Sequence, residues 1–181
     1  MKKQPEVIMS HRALIVVDML NDFVDEKGAL YCGPSARDII PFIKDRIAEY
    51  RKTGSSVIYI QDSHAEDDKE FEKFPKHSVN GTWGHQIVPE LAPRQEDMVI
   101  QKRRYSGFFE TELGDLLRKH DIRDVEVVGV CTNICVMDTV GGLANRDYNI
   151  TVPRAGVADF DAEFHEFALK RMDKIYGARI V

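Results

Sequence analysis

Among 181 residues there are only three cysteines and one tryptophan, and no apolar run approaches membrane length. An odd, small number of cysteines argues against a disulfide scaffold and fits a reducing cytoplasm. The longest apolar runs, such as residues 13–17, fall far short of the roughly 20 residues that span a bilayer. Basic charge is also scarce: 25 Lys and Arg against 30 Asp and Glu leave a net charge of −5. The one basic cluster, Lys102-Arg103-Arg104, is too short for a phosphate-tracking face, so neither nucleic acid nor an anionic membrane is an expected partner. Repeats, low-complexity tracts and linkers are lacking as well. After Met1-Lys2-Lys3 come Gln4, Pro5 and Glu6 rather than an apolar stretch, so no signal peptide is expected. What remains is an ordinary globular balance, 43% hydrophobic and 30% charged, in a length that suits one domain.

Four apolar or β-branched runs stand out, at residues 13–17, 56–60, 97–100 and 125–130, with weaker ones at 149–152 and 178–181. Runs this short and continuous suit strands buried on both faces. Helical stretches lie between them. Ile39, Ile40, Ile43, Ile47 and Tyr50 recur at helical spacing after a start signal at Pro34-Ser35. Leu113, Leu116 and Leu117 mark a second helix ending near His120, residues 133–146 a third, and 162–176 a fourth stopped by Gly177. Alternating strands and helices predict a three-layer α/β/α domain around a parallel sheet with right-handed crossovers.

Ligands in such sheets bind beyond the carboxyl ends of the strands. Here the first strand runs into Asp18, the second into Asp62 and His64, the third into Lys102, and the fourth into the turn from Cys131 to Cys135. All four ends carry reactive side chains. A cysteine just inside a helix start is expected to have its thiolate stabilised by the macrodipole, and backbone N–H groups there can receive an oxyanion. Asp18, at the end of an apolar strand, is placed for a desolvated general base. Each residue also has a plain structural reading. Cys135 could be a small buried apolar residue, Asp18 a turn residue before Asn21 and Asp22, and Lys102 part of a solvated basic turn. Cys32, beside Gly33 and Pro34, reads as structural.

Residues 63–93 break the rhythm. They hold three of the six histidines, the only tryptophan and three prolines, with four acidic residues between Glu66 and Glu70. Long segments of this kind within a compact domain are often functional. Asp62 and His64 stand two apart on one side of an extended segment, and Glu70 and His77 could close round a metal from the loop that follows. Two histidines and one or two carboxylates suit Zn²⁺, Fe²⁺ or Mn²⁺. His11, His85, His120 and His165 have no ligand partners at useful spacing and read as structural or surface residues.

Taken together, the chain resembles the isochorismatase-like cysteine hydrolases, and within them the nicotinamidase (pyrazinamidase) branch. The motifs that carry the resemblance are Leu14-Ile-Val-Val-Asp-Met-Leu-Asn-Asp-Phe23, Asp62-Ser-His64 with Phe74-Pro-Lys-His77 and Gly81-Thr-Trp-Gly84, Lys102-Arg-Arg-Tyr-Ser-Gly-Phe108, and Gly129-Val-Cys-Thr-Asn-Ile-Cys-Val136. The resemblance implies a six-stranded, Rossmann-like parallel sheet with helices on both faces. It implies a catalytic trio of Cys135 as nucleophile, Asp18 and Lys102, and a cis peptide at Val130–Cys131 that turns the N–H groups of Cys131 and Cys135 toward one oxyanion. It also implies metal ligands at Asp62, His64 and His77, with Glu70 matching an extra carboxylate ligand. Where many nicotinamidases read Trp-Pro-Pro-His-Cys, this chain reads Phe74-Pro-Lys-His-Ser78, which makes Phe74 the stacking aromatic opposite Phe23, with Tyr105 also in the substrate site. The implied reaction converts nicotinamide to nicotinate through a thioester, in a homo-oligomer. Family members that cleave ureido or carbamoyl substrates with the same trio are the nearest alternative. A true isochorismatase would leave Cys135 idle. A thiol redox sensor using Cys131 and Cys135 would leave Asp18, Lys102 and the metal set without a job.

Overall fold

A computed structural model of the chain describes residues 11–181; the expectation drawn from Met1 to Glu6 lies outside them. The β-branched runs form parallel strands: β1 (Arg12–Val17), β2 (Ser56–Asp62), β3 (Met98–Lys102), β4 (Asp124–Val130), β5 (Asn149–Val152), β6 (Val157–Ala158) and β7 (Arg179–Ile180). Their order across the sheet is β3-β2-β1-β4-β5-β7, with β6 pairing β4. The predicted six strands are thus seven. β5 pairs with β4 at residues 124–126 and β6 pairs with it at Gly129 and Val130. A helical turn at Arg154–Gly156 separates them. One flank of β4 is therefore covered by two short segments, and six strand positions remain.

Side chains alternate between the two faces of the sheet, as the twofold period of a strand requires. Ala13, Ile15 and Val17 of β1 point to one side, with Ile58, Ile60, Val125 and Val127. There they meet Leu113 and Leu117 of α4 (Leu113–Lys119), Val140 and Leu143 of α5 (Met137–Ala144), and Leu169 and Met172 of α6 (Ala162–Lys174). Leu14 and Val16 point the other way with Val57, Tyr59, Val128 and Val130. These pack on Ile40, Ile43, Ile47 and Tyr50 of α3 (Ile40–Lys52) and on Ala36 of α2 (Pro34–Asp38), while a single turn, α1 (Asn21–Val24), follows β1. The Pro34 start signal therefore opens a separate short helix before α3. No helix among the described residues is long and apolar enough to cross a membrane.

The central pair β1 and β4 approach closely at one glycine. Gly129 has φ +120°, and a Cβ there would lie 2.0 Å from the Val17 carbonyl oxygen. Only glycine allows both the dihedral and the approach. This brings the ends of β1 and β4 together at the rim where the reactive residues emerge.

Candidate functional site

The four strand ends converge on one buried cluster. Lys102, in the last position of β3, pairs in register with Asp62 of β2. Its Nζ is 2.9 Å from Asp18 Oδ2, donates to Asp62 Oδ1 at 3.0 Å and lies 3.5 Å from Cys135 Sγ. The reading of Lys102 as a solvated basic turn does not hold, since its side chain is fully buried. Asp18, at φ +50°, accepts the Asp62 N–H through Oδ1 at 2.8 Å. Its buried Oδ2 takes no aligned hydrogen bond and remains available for a proton.

Burial sets the protonation pattern. It raises Asp18 above the usual carboxylate range, Lys102 pulls it back down and Asp62 adds to the rise. Burial disfavours the Lys102 charge, but Asp18, Cys135 and Asp62 outweigh it and hold the ammonium protonated. For Cys135 burial again leads, and with Asp18 and Asp62 it pushes the thiol well up, against Lys102. The sequence-based expectation of a dipole-stabilised thiolate is therefore wrong for the resting site. Cys135 lies in a π-helical turn, Thr132–Val136, that precedes α5, and burial of the sulfur, joined by Asp18 and Asp62, raises the thiol despite Lys102. The resting cysteine is a thiol beside a carboxylate that can take its proton.

The peptide Val130–Cys131 is cis, as the resemblance implied. The Cys131 carbonyl accepts from Ile134 at 3.1 Å and Val136 at 3.3 Å, and this pairing passes over Cys135. Asp159 anchors the turn from outside, accepting the Asn133 N–H at 2.8 Å.

Beside this cluster lies the histidine set. One ligand atom from each of Asp62, His64 and His77 lies within 4.8 Å of the others. His64 Nε2 is 2.9 Å from Asp62 Oδ2, and its Nδ1 faces Asp68 Oδ2 at 3.2 Å. His77 Nδ1 bonds the Pro75 carbonyl at 2.8 Å. That bond turns its Nε2 toward Asp62 Oδ2 at 3.5 Å and Glu70 Oε1 at 3.9 Å, the orientation that a metal-ligating imidazole needs. Burial opposes charge on both rings, yet the Asp62 contacts raise both above the ordinary imidazole value. Glu70 is buried; its Oε2 takes no hydrogen bond but lies 3.7 Å from the Arg104 guanidinium, and burial followed by Asp62 pushes its carboxyl up. It groups with His64 and Asp68 rather than with Asp62 and His77.

Asp68 escaped the sequence reading. It caps the turn at Lys69–Glu72 by accepting the Glu70 N–H at 2.9 Å, and it pairs with Arg104 at 3.0 Å. The capping position of an aspartate two before Glu70 was the available signal. His85 is buried in the same region with Nε2 unpartnered, which makes it a core residue rather than a surface one.

A cleft of about 410 Å³ opens over Cys135 and Asp18. Phe23, Phe74 and Tyr105 line it as expected, together with Leu30, Tyr31, Ile134 and Phe160, which no sequence pattern singled out. Asp62, Glu70 and His77 reach it from the side, and among the described residues no arginine or lysine lines it. Asp22 ties its wall together. Its carboxylate accepts the Ala29 N–H at 3.0 Å and the Ser78 N–H at 2.7 Å, and a Cβ on Gly84 would lie 2.0 Å from its Oδ2.

The chain matches the Isochorismatase domain family over residues 12–180. It is similar to the solved nicotinamidase PncA from Bacillus subtilis, with 34% identity and a TM-score of 0.90 covering 95% of this chain and 99% of that one. The pyrazinamidase of Pyrococcus horikoshii, solved in complex with zinc, is 31% identical with a TM-score of 0.89 over 95% and 99% of the two chains. The N-carbamoylsarcosine amidase of Thermoplasma acidophilum is 34% identical with a TM-score of 0.85 over 93% and 94%. These relatives are amidohydrolases of small molecules with different substrates. On this match, the chain belongs to the isochorismatase-like hydrolase family.

Proposed function

We propose that the chain is a metal-dependent cysteine amidohydrolase that cleaves nicotinamide, or a closely similar aromatic carboxamide, to the acid and ammonia. The observation that carries this reading is the wall of the cleft. It is mostly apolar and aromatic, with no Arg or Lys lining it among the described residues. A flat, neutral ring fits between Phe23 and Phe74. A substrate bearing a free carboxylate would meet Glu70 in the wall and no Arg or Lys among the described lining residues.

In this reading Asp18 takes the Cys135 proton as the sulfur attacks the carboxamide carbon. The S–C bond forms and the carbonyl electrons move onto oxygen, which lies against the N–H groups of Cys131 and Cys135. A single donor of this kind is worth about 2.7–4 kcal/mol. Collapse breaks the C–N bond, and Asp18 passes its proton to the departing ammonia. Water, deprotonated by Asp18, then cleaves the thioester and returns the thiol. Lys102 keeps the charge balanced throughout, since it touches both Asp18 and Cys135.

Asp62, His64 and His77 would hold a divalent ion, with Glu70 reaching it directly or through water. The donor set suits zinc, iron or manganese, and the turned His77 ring, with Glu70 Oε1 3.9 Å from its Nε2, fits such an ion. Held by these residues, such an ion would supply Lewis acidity toward a substrate nitrogen or a water.

The similarity to N-carbamoylsarcosine amidase supports a second reading, hydrolysis of a ureido or carbamoyl compound. Ammonia release from nicotinamide, N-carbamoylsarcosine and ureidoacrylate, each with and without a chelator, separates the two. Turnover of nicotinamide that is lost on chelation is the expected result. Faster turnover of either ureido compound would overturn the first reading in favour of the second.

A further inference from the structure

Two of the three cysteines take no part in the proposed chemistry through their side chains, and they meet each other. Cys32 Sγ lies 2.9 Å from Cys131 Sγ although 99 positions separate them in the chain. Both side chains are buried as free thiols, and both residues line the cleft.

The two sulfurs belong to different parts of the wall. Cys32 lies next to the end of the strap, residues 25–33, that contributes Ala29, Leu30 and Tyr31 to the cleft. Its N–H donates to the Phe23 carbonyl at 2.8 Å, which fixes the direction of its side chain. Cys131 begins the turn that carries Cys135. A sulfur–sulfur bond of about 2.05 Å needs only a small further approach by two side chains already in contact.

We infer that Cys32 and Cys131 are a redox-modification site, at which a peroxide forms an intrachain disulfide that pins the strap to the Cys135 turn. One sulfur attacks a peroxide oxygen, the O–O bond breaks, and a sulfenic acid and water result. The second thiol attacks that sulfur, the S–O bond breaks, and the hydroxyl leaves as a second water. Two thiols thereby give up two protons and two electrons, and hydrogen peroxide is reduced to two waters. An added dithiol reverses the step by exchange. Cys135 is not needed, and the site does not depend on which amide is cleaved.

The test treats the whole protein with hydrogen peroxide, alkylates the remaining thiols and maps peptides without reduction. A Cys135→Ser variant is run in parallel to remove exchange with the third thiol. The expected result in both is a linked pair of peptides containing Cys32 and Cys131, short of two hydrogens and released by dithiothreitol. The oxidised protein should also melt several degrees higher, because the link closes a long loop. Cys32→Ala should show neither effect. A link between Cys131 and Cys135, or a Cys32 that stays open to alkylation, would each overturn the inference.

Discussion

Asp62 and Lys102 are bonded at 3.0 Å, Oδ1 to Nζ, and through this contact the cysteine cluster and the histidine cluster become one buried unit. The other Asp62 oxygen faces His64 and His77. Burial pushes this carboxyl up, but Lys102 and the two histidines outweigh it and hold Asp62 ionised. A charge on either side of the contact is therefore felt on the other.

Replacing Lys102 by alanine should expose the cost of that arrangement. Asp18 and Asp62 would be left as neighbouring buried carboxylates with no cation between them. Removing one partner of a buried ion pair typically costs about 3–5 kcal/mol. Thermal melting of Lys102→Ala should show a loss of this order, with turnover lost as well. A variant as stable as the parent would show that the cluster is already neutral.

Cys135→Ala should behave in the opposite way. The thiol is held protonated at rest, so its removal leaves no charge behind, and stability and metal content should stay near those of the parent. Turnover should fall on the order of 10⁶-fold, the scale seen when a nucleophile is removed from a hydrolase. Amidase activity near that of the parent in this variant would end the thioester mechanism.

Both expectations show what sequence carries and what it does not. Asp18, Lys102 and Cys135 were legible because each ends or follows a short apolar run, and a parallel sheet brings such ends to one rim. The strands and most of the helices were legible for the same reason, through their apolar periodicity. The walls of the cleft were not. Leu30, Tyr31, Ile134 and Phe160 share no period and come from separate segments, so only the folded chain groups them. The ionisation of Cys135 was misread because the helix start is visible in sequence, whereas the burial of the sulfur and the two carboxylates folded against it are not. Asp68 was hidden among four nearby acidic residues until its pairing with His64 set it apart.

Metal binding should depend on pH through the two ring nitrogens. Asp62 raises both His64 and His77, so each holds its proton to a higher pH than an ordinary histidine. An ion must displace those protons, and affinity should therefore weaken as pH falls through the raised histidine values. Calorimetric titration of the chelated protein with zinc at several pH values measures this. At about 100 times its Kd, the ion should add about 2.7 kcal/mol of stability. His77→Ala should lose most of that gain, and pH-independent affinity would argue against the two histidines as ligands.

Gly84→Ala tests the packing behind the cleft. The added methyl would fall on the Asp22 carboxylate, which two backbone N–H groups already hold in place. Overpacking of this kind costs about 1–3 kcal/mol, and a lower Tm with a raised KM is expected. A silent substitution would mean that Asp22 moves freely.

The Asp22 hub also has a consequence for how the cleft opens. One carboxylate serves Ala29 on the strap through Oδ1 and Ser78 beside His77 through Oδ2, so a movement of Asp22 itself releases both segments at once. Hydrogen exchange at these two amides should follow a single opening event, and the mouth of the cleft should behave as a latch with one catch rather than two independent flaps.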